Sequence, residues 1–122
     1  MKRTSYEIGL DAETLTVNYL VALGHRIIKQ RWKSKFGEID IISIKANELI
    51  FTEVKSRKNY SKEEVISHKQ LKRNSLAALD FLGHFDVDEA VNNLQIRYDC
   101  IIVHRDNIVE HIENAWYIES CS

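Results

Sequence analysis

The chain has 122 residues, of which 44% are apolar and 29% charged, with a net charge of −1. That is material for one core and a single domain spanning residues 1–122, rather than for several domains or a disordered chain. No apolar run reaches the roughly 18 residues of a membrane span. The N-terminus MKRTSYEIGLDAE is polar and acidic, unlike a signal peptide, so a cytoplasmic protein with no membrane partner is expected.

The two cysteines, Cys100 and Cys121, form no CxxC, and reduced thiols are expected. The five histidines show no HxH or HExxH spacing, which gives a zinc site little support. The near-neutral total hides an asymmetry. Residues 1–75 hold 15 basic against 9 acidic side chains, or +6, while residues 76–122 hold 2 against 9, or −7. Such a division allows one face to attract phosphates, although scattering over solvated faces is the more ordinary outcome of composition alone.

In chain order, 5–23 reads as a helix. Ile8, Ala12, Leu15, Tyr19 and Leu23 recur every three or four residues, Thr4 with Glu7 makes a capping-box pattern, and Gly24 closes it. A short strand follows at 26–30, and GEIDIISIKANELIFTEVKSR supplies two more, about 38–44 and 49–57. Ser61 with Glu64 opens a second helix carrying Ile66, Leu71, Ala78 and Leu82 inward, and Gly83 ends it. Residues 84–92 read as a polar connection. The segments 95–103 and 108–112 read as a strand pair across the turn at 104–107. The order α β β β α β β implies a mixed sheet with helices packed on it, an α/β sandwich.

The second and third strands carry charges where a half-buried sheet is expected. In a hairpin centred on Ala46 and Asn47, facing residue numbers sum to 93, so Asp40 meets Glu53 and Glu38 meets Lys55. Strict alternation puts these four on one face and Ile39, Ile41, Thr52 and Val54 on the other. Two carboxylates ~5 Å apart at an effective dielectric near 20 repel by about 3 kcal/mol. A divalent cation is the natural compensation, and magnesium or manganese suits a few carboxylate oxygens. The spacing Glu53-x-Lys55 adds an ammonium beside the same site, which suits phosphodiester chemistry. An ordinary cross-strand ion pair between Glu38 and Lys55 is the plainer reading, but the apolar residues around the acids point to a cleft.

GEIDII followed by FTEVKSR resembles the GEIDLIA and FVEVKTR segments of the YraN-like family of bacterial proteins, members of the PD-(D/E)xK nuclease superfamily related in fold to archaeal Holliday-junction resolvases. The likeness covers almost the whole chain. Upstream, AETLTVNYLVALGHRIIKQRWK is similar to GExxAxxYLxxxGYxILxRNxR; downstream, HKQLKRNSLAALDFL resembles a lysine-bearing helix, IRYDCIIV the RFDVV strand, and HIENAW the HIxxAF ending. The resemblance implies a restriction-endonuclease-like three-layer fold, a central mixed five-stranded sheet flanked by helices. It also implies that Asp40 and Glu53 bind metal, that Lys55 is the catalytic lysine, and that Glu13 completes the acidic site. Lys69 corresponds to the helix lysine, a phosphate contact or simply an exposed lysine. Arg97 and Asp99 correspond to the RFD pair, and Glu38 has no assigned role.

Several positions depart from the family pattern. Ala12 replaces a glycine, Thr16 an alanine, Arg31 an asparagine and Lys33 an arginine, and the proline before the second helix is absent. The combined expectation is a magnesium- or manganese-dependent nuclease acting on DNA, including branched DNA, with Asp40, Glu53, Glu13 and the backbone carbonyl of Val54 as ligands. Lys55 would orient the attacking water. Arg31, Lys33, Lys35, Arg57, Lys58, Lys69, Lys72 and Arg73 are the candidate phosphate contacts. The alternatives are a DNA-binding module that keeps the acidic site with little turnover, or a structural partner in an assembly. A homodimer is expected, because symmetric cutting of two strands needs two sites.

Overall fold

The computed structural model describes residues 2–56, 68–84 and 94–115. The elements are α1 (Ser5–Ala22), β1 (Arg26–Ser34), β2 (Gly37–Lys45), β3 (Glu48–Ser56), α2 (His68–His84), β4 (Gln95–His104) and β5 (Asn107–Ile112). They form one five-stranded open sheet in the order β1-β2-β3-β4-β5. Every neighbouring pair is antiparallel except β3 with β4, which is parallel. A parallel pair needs a long crossover, and the segment between β3 and β4 that contains α2 provides it.

The two helices cover opposite faces of the sheet. One apolar cluster joins Ala77, Ala78 and Phe81 of α2 to Ile42, Leu49, Phe51, Tyr98, Cys100 and Ile102, with Trp32 set edge-on against Phe81 at 5.3 Å. The other joins Ala12 and Leu20 of α1 to Ile41, Ile101 and Val103. Alternation along β4 thus feeds both layers, as a strand buried on both faces requires.

The capping box of α1 is complete: Glu7 N–H donates to Thr4 Oγ1, and Thr4 N–H donates to Glu7 Oε1. Gly24, at φ 97°, ends the helix in a conformation that costs a side-chain-bearing residue more. Of the stripe read from the sequence, Ala12 is buried and Leu15 and Tyr19 pack partly buried against the core, Thr16 and Leu20 join it as fully buried residues, and Ile8 and Leu23 are exposed. Thr16 fits because its hydroxyl donates to the Ala12 carbonyl at 2.8 Å. The first strand continues four residues beyond its expected end at Gln30, to Ser34. The capping pattern at Ser61 and Glu64, and with it Ile66, lies outside the described residues. No described helix is long and apolar enough to cross a membrane.

Candidate metal and phosphodiester site

The register of β2 with β3 is the expected one as far as it runs, from Lys45↔Glu48 to Ile41↔Thr52. It stops one step short of Asp40 and Glu53. There Val54 N–H donates to Asp40 Oδ2 at 2.8 Å, so a side-chain carboxylate takes a donor that the ladder would have given to a backbone carbonyl. Alternation fails at the same point, because Ile39 packs with the α2 cluster while Ile41 packs with the α1 cluster. The expectation that Ile39 and Ile41 share a face is therefore corrected. The neighbouring strand is distorted too: Arg31, between the pairs Gln30↔Ile41 and Trp32↔Ile39, has φ 52°. Asparagine tolerates this left-handed region better than arginine does, which gives a physical reason for the asparagine of the family pattern at that position.

Beside these distortions lies a polar cavity of about 470 Å³, lined by Gly37, Glu38, Asp40 and Glu53 and by Gln70, Arg73 and Asn74 of α2. Carboxylate oxygens of Glu13, Glu38 and Asp40 all lie within 4.8 Å of one another. Glu38, to which the sequence assigned no role, is thus part of the acidic group. Glu53 is 8% exposed and is held by three donors: Gln70 Nε2 at 2.7 Å, Lys55 Nζ at 3.1 Å and Asn74 Nδ2 at 3.5 Å. Sequence reasoning missed Gln70 and Asn74. The available signal was their spacing of one helical turn on a helix with an apolar stripe, which aims two amides at the same point of the sheet.

Burial, and after it the repulsion of Glu53, push the Asp40 carboxyl up to about 8; the Val54 hydrogen bond opposes this, and Glu13 adds to it. Burial also raises Glu13 above its ordinary value, while Arg31 pulls it down and Glu38 and Glu53 push it up. Arg31 Nε lies 3.5 Å from Glu38 and 3.7 Å from Glu13, so this guanidinium already partly neutralises the acids.

The remaining expected phosphate contacts are dispersed. Lys33 is exposed on β1 directly opposite Glu38, Lys35 lies at the β1–β2 turn, and Lys72 and Arg73 are exposed on α2. Arg57, Lys58 and the side chain of Lys69 lie outside the described residues. Arg97 and Asp99 sit apart from the acidic group. Arg97 makes two 2.8 Å bonds to Asp99, which is 0% exposed, and a 3.0 Å bond to Glu48; His111 Nε2 reaches Asp99 at 2.8 Å and Tyr19 Oη reaches His111 Nδ1 at 3.0 Å. This is a structural network tying β4, β5 and α1.

A family model described as uncharacterised protein family UPF0102 matches residues 12–103, which include every acid of the cavity. The chain belongs to the UPF0102 family. A UPF0102 protein of Clostridioides difficile is 36% identical over 90% of this chain and 96% of the relative. UPF0102 proteins of Sulfurihydrogenibium sp. and Parabacteroides distasonis are 35% and 30% identical, over 88% and 91% of this chain and 91% and 93% of theirs. UPF0102 is the YraN-like family that the GEIDII and FTEVKSR segments pointed to, and the likeness to these relatives extends over nearly the whole length.

Proposed function

We propose that this UPF0102 protein is a PD-(D/E)xK-type, metal-dependent hydrolase of DNA phosphodiesters, including those of branched DNA. The observation that carries the reading is the convergence of Glu13, Glu38 and Asp40 within 4.8 Å, beside a buried Glu53 that is paired to Lys55 at 3.1 Å. The donor set fits the ion: all are hard carboxylate oxygens, as magnesium and manganese prefer, and burial first, then the repulsion of neighbouring acids, raises the Asp40 and Glu13 carboxyls, a cost that a bound cation would relieve. Glu13, Glu38 and Asp40 would hold such an ion, with Glu53 and the carbonyl of Val54 as further candidate ligands; when bound, it would supply Lewis acidity to a phosphodiester oxygen.

The protein's own groups do the rest. Gln70 and Asn74 fix the Glu53 carboxylate from the α2 side, so that it does not swing with its rotamers. The Lys55 ammonium, on the same strand two residues on, orients the attacking water and steadies the charge that develops on the phosphate. Arg73, at the cavity wall, and Lys33, opposite Glu38, take flanking phosphates. Arg31 supports a second reading, a DNA-binding module with little turnover, because a resident cation among the acids weakens their hold on a metal.

The test is a cleavage panel on duplex, single-stranded and four-way DNA with magnesium or manganese, using Glu53→Ala as the control for contaminating nuclease. Metal-dependent cleavage by the parent and none by the variant is the expected result; equal traces for both would overturn the hydrolase reading. A homodimer is proposed with it. Sedimentation equilibrium should return twice the 14.3 kDa chain mass at micromolar concentration, and a monomer with and without DNA would refute the dimer.

A further inference from the structure

Two exposed aromatic side chains connect to the acidic cavity, Phe36 through the adjacent Gly37 and Tyr6 through Arg31. Phe36 sits at the β1–β2 turn, next to the cavity-lining Gly37, and is 36% exposed. Turn tips favour glycine, asparagine, aspartate, proline and serine, so a phenylalanine there is unexpected on local grounds. Tyr6, in the first turn of α1, is 64% exposed. Its hydroxyl lies 3.5 Å from Arg31, whose Nε reaches Glu38 of the acidic group, so one chain of contacts links Tyr6 to the cavity.

Each ring carries a cation over one face: Arg31 at 5.7 Å from the Tyr6 centroid, and Lys35 at 5.1 Å from that of Phe36. An exposed aromatic beside a cation is what sequence-independent binding of unpaired nucleic acid uses, because every base has a π-face and every nucleotide a phosphate. A continuous duplex hides those base faces in its own stack.

We propose that Tyr6 and Phe36 are stacking platforms for the bases of an unpaired DNA strand entering the acidic cavity, with Lys33, Lys35 and Arg73 taking its phosphates. The inference rests on the reading of that cavity as a phosphodiester site, and it names the substrate segment as single-stranded, whether free or at a branch.

The experiment is fluorescence anisotropy in EDTA with three probes of equal length: an oligothymidylate, an abasic single strand and a blunt duplex. The parent should bind the oligothymidylate about tenfold or more tighter than either other probe. Tyr6→Ala and Phe36→Ala should each weaken oligothymidylate binding about tenfold and leave abasic binding unchanged, with Tyr6→Leu and Phe36→Leu weakening it as well because they keep bulk but lack a π-face. Unchanged melting temperatures of these exposed variants serve as the folding control. Equal binding of oligothymidylate and abasic strand by the parent overturns the proposal, as does an equal loss of both in the variants, or a loss of dimer with no loss of base-dependent binding. Base-independent binding together with Glu53-dependent cleavage refutes the stacking platforms alone. Base-dependent binding with no cleavage of any DNA refutes the hydrolase alone. Absence of all DNA binding refutes both.

Discussion

Asp40 is held where its neutral form is favoured. Its carboxyl sits at about 8 in the folded, metal-free protein, against about 3.9 in an unfolded chain. Between those values the unfolded state releases a proton that the folded state keeps, so the contribution of this group to stability falls as pH rises from about 4 to about 8 and is flat beyond either end. Asp40→Asn keeps the shape and removes the charge. The variant should therefore be more stable than the parent near pH 8, by on the order of a few kcal/mol, and closer to it near pH 4. Manganese should raise the melting temperature of the parent and leave that of Asp40→Asn unmoved, since a ligand stabilises only through its affinity for the folded state. Thermal melts of both proteins at pH 4, 6 and 8, with and without millimolar manganese, check both statements. An equal dependence of the two proteins on pH would show that Asp40 keeps an ordinary carboxyl.

The β2–β3 hairpin shows how far local pattern carries. Its register was readable because the turn fixes the pairing and each pair fixes the next, and Ile44↔Leu49 and Ile41↔Thr52 follow from the turn alone. The turn itself is imperfect: Ala46 has φ 54°, a region in which a Cβ is strained. Ala46→Gly should raise the free energy of unfolding by less than about 1 kcal/mol once the looser unfolded chain is counted, seen as a higher denaturation midpoint with no change in denaturant slope. What pattern does not carry is the point where a side chain replaces the backbone. Asp40 captures Val54 N–H, and with that bond the ladder and the alternation both end, so the position of Ile39 was not legible. The extension of β1 was missed for a related reason. The charges of RWKSK break the apolar run that marked the strand, yet β1 is an edge strand, and charges belong on an exposed edge. The acids Asp40 and Glu53 and the lysine Lys55 were legible because their charges violate the pattern of a buried sheet. Gln70 and Asn74 were missed because amides on a helix violate no burial pattern and leave only their one-turn spacing as a signal.

Across the whole molecule, Asp40 and Asp99 respond to pH in opposite senses. Burial raises the Asp99 carboxyl, but the hydrogen bonds from His111 and Arg97, with the charge of Arg97, outweigh it and hold the group below its ordinary value. Its contribution is present above the unfolded value of about 3.9 and is lost as pH falls through the lower folded value. Asp99→Asn leaves Arg97 without its principal partner in the interior, and should cost about 3–5 kcal/mol at pH 7 by denaturant titration, with the loss narrowing in acid. The connectivity of the sheet also sets an order of events. β1, β2 and β3 pair with their neighbours in sequence, whereas β4 reaches β3 only after residues 57–94 have been spanned. Pairing of nearby segments is expected to outrun closure of a long loop, so Asp40 and Glu53 should meet while the parallel half of the sheet is still unformed. Where both are ionised, their mutual repulsion adds to the barrier to folding. Manganese should accordingly accelerate refolding of the parent in stopped-flow experiments, and an effect confined to the unfolding limb would place the meeting of the two acids after the rate-limiting step.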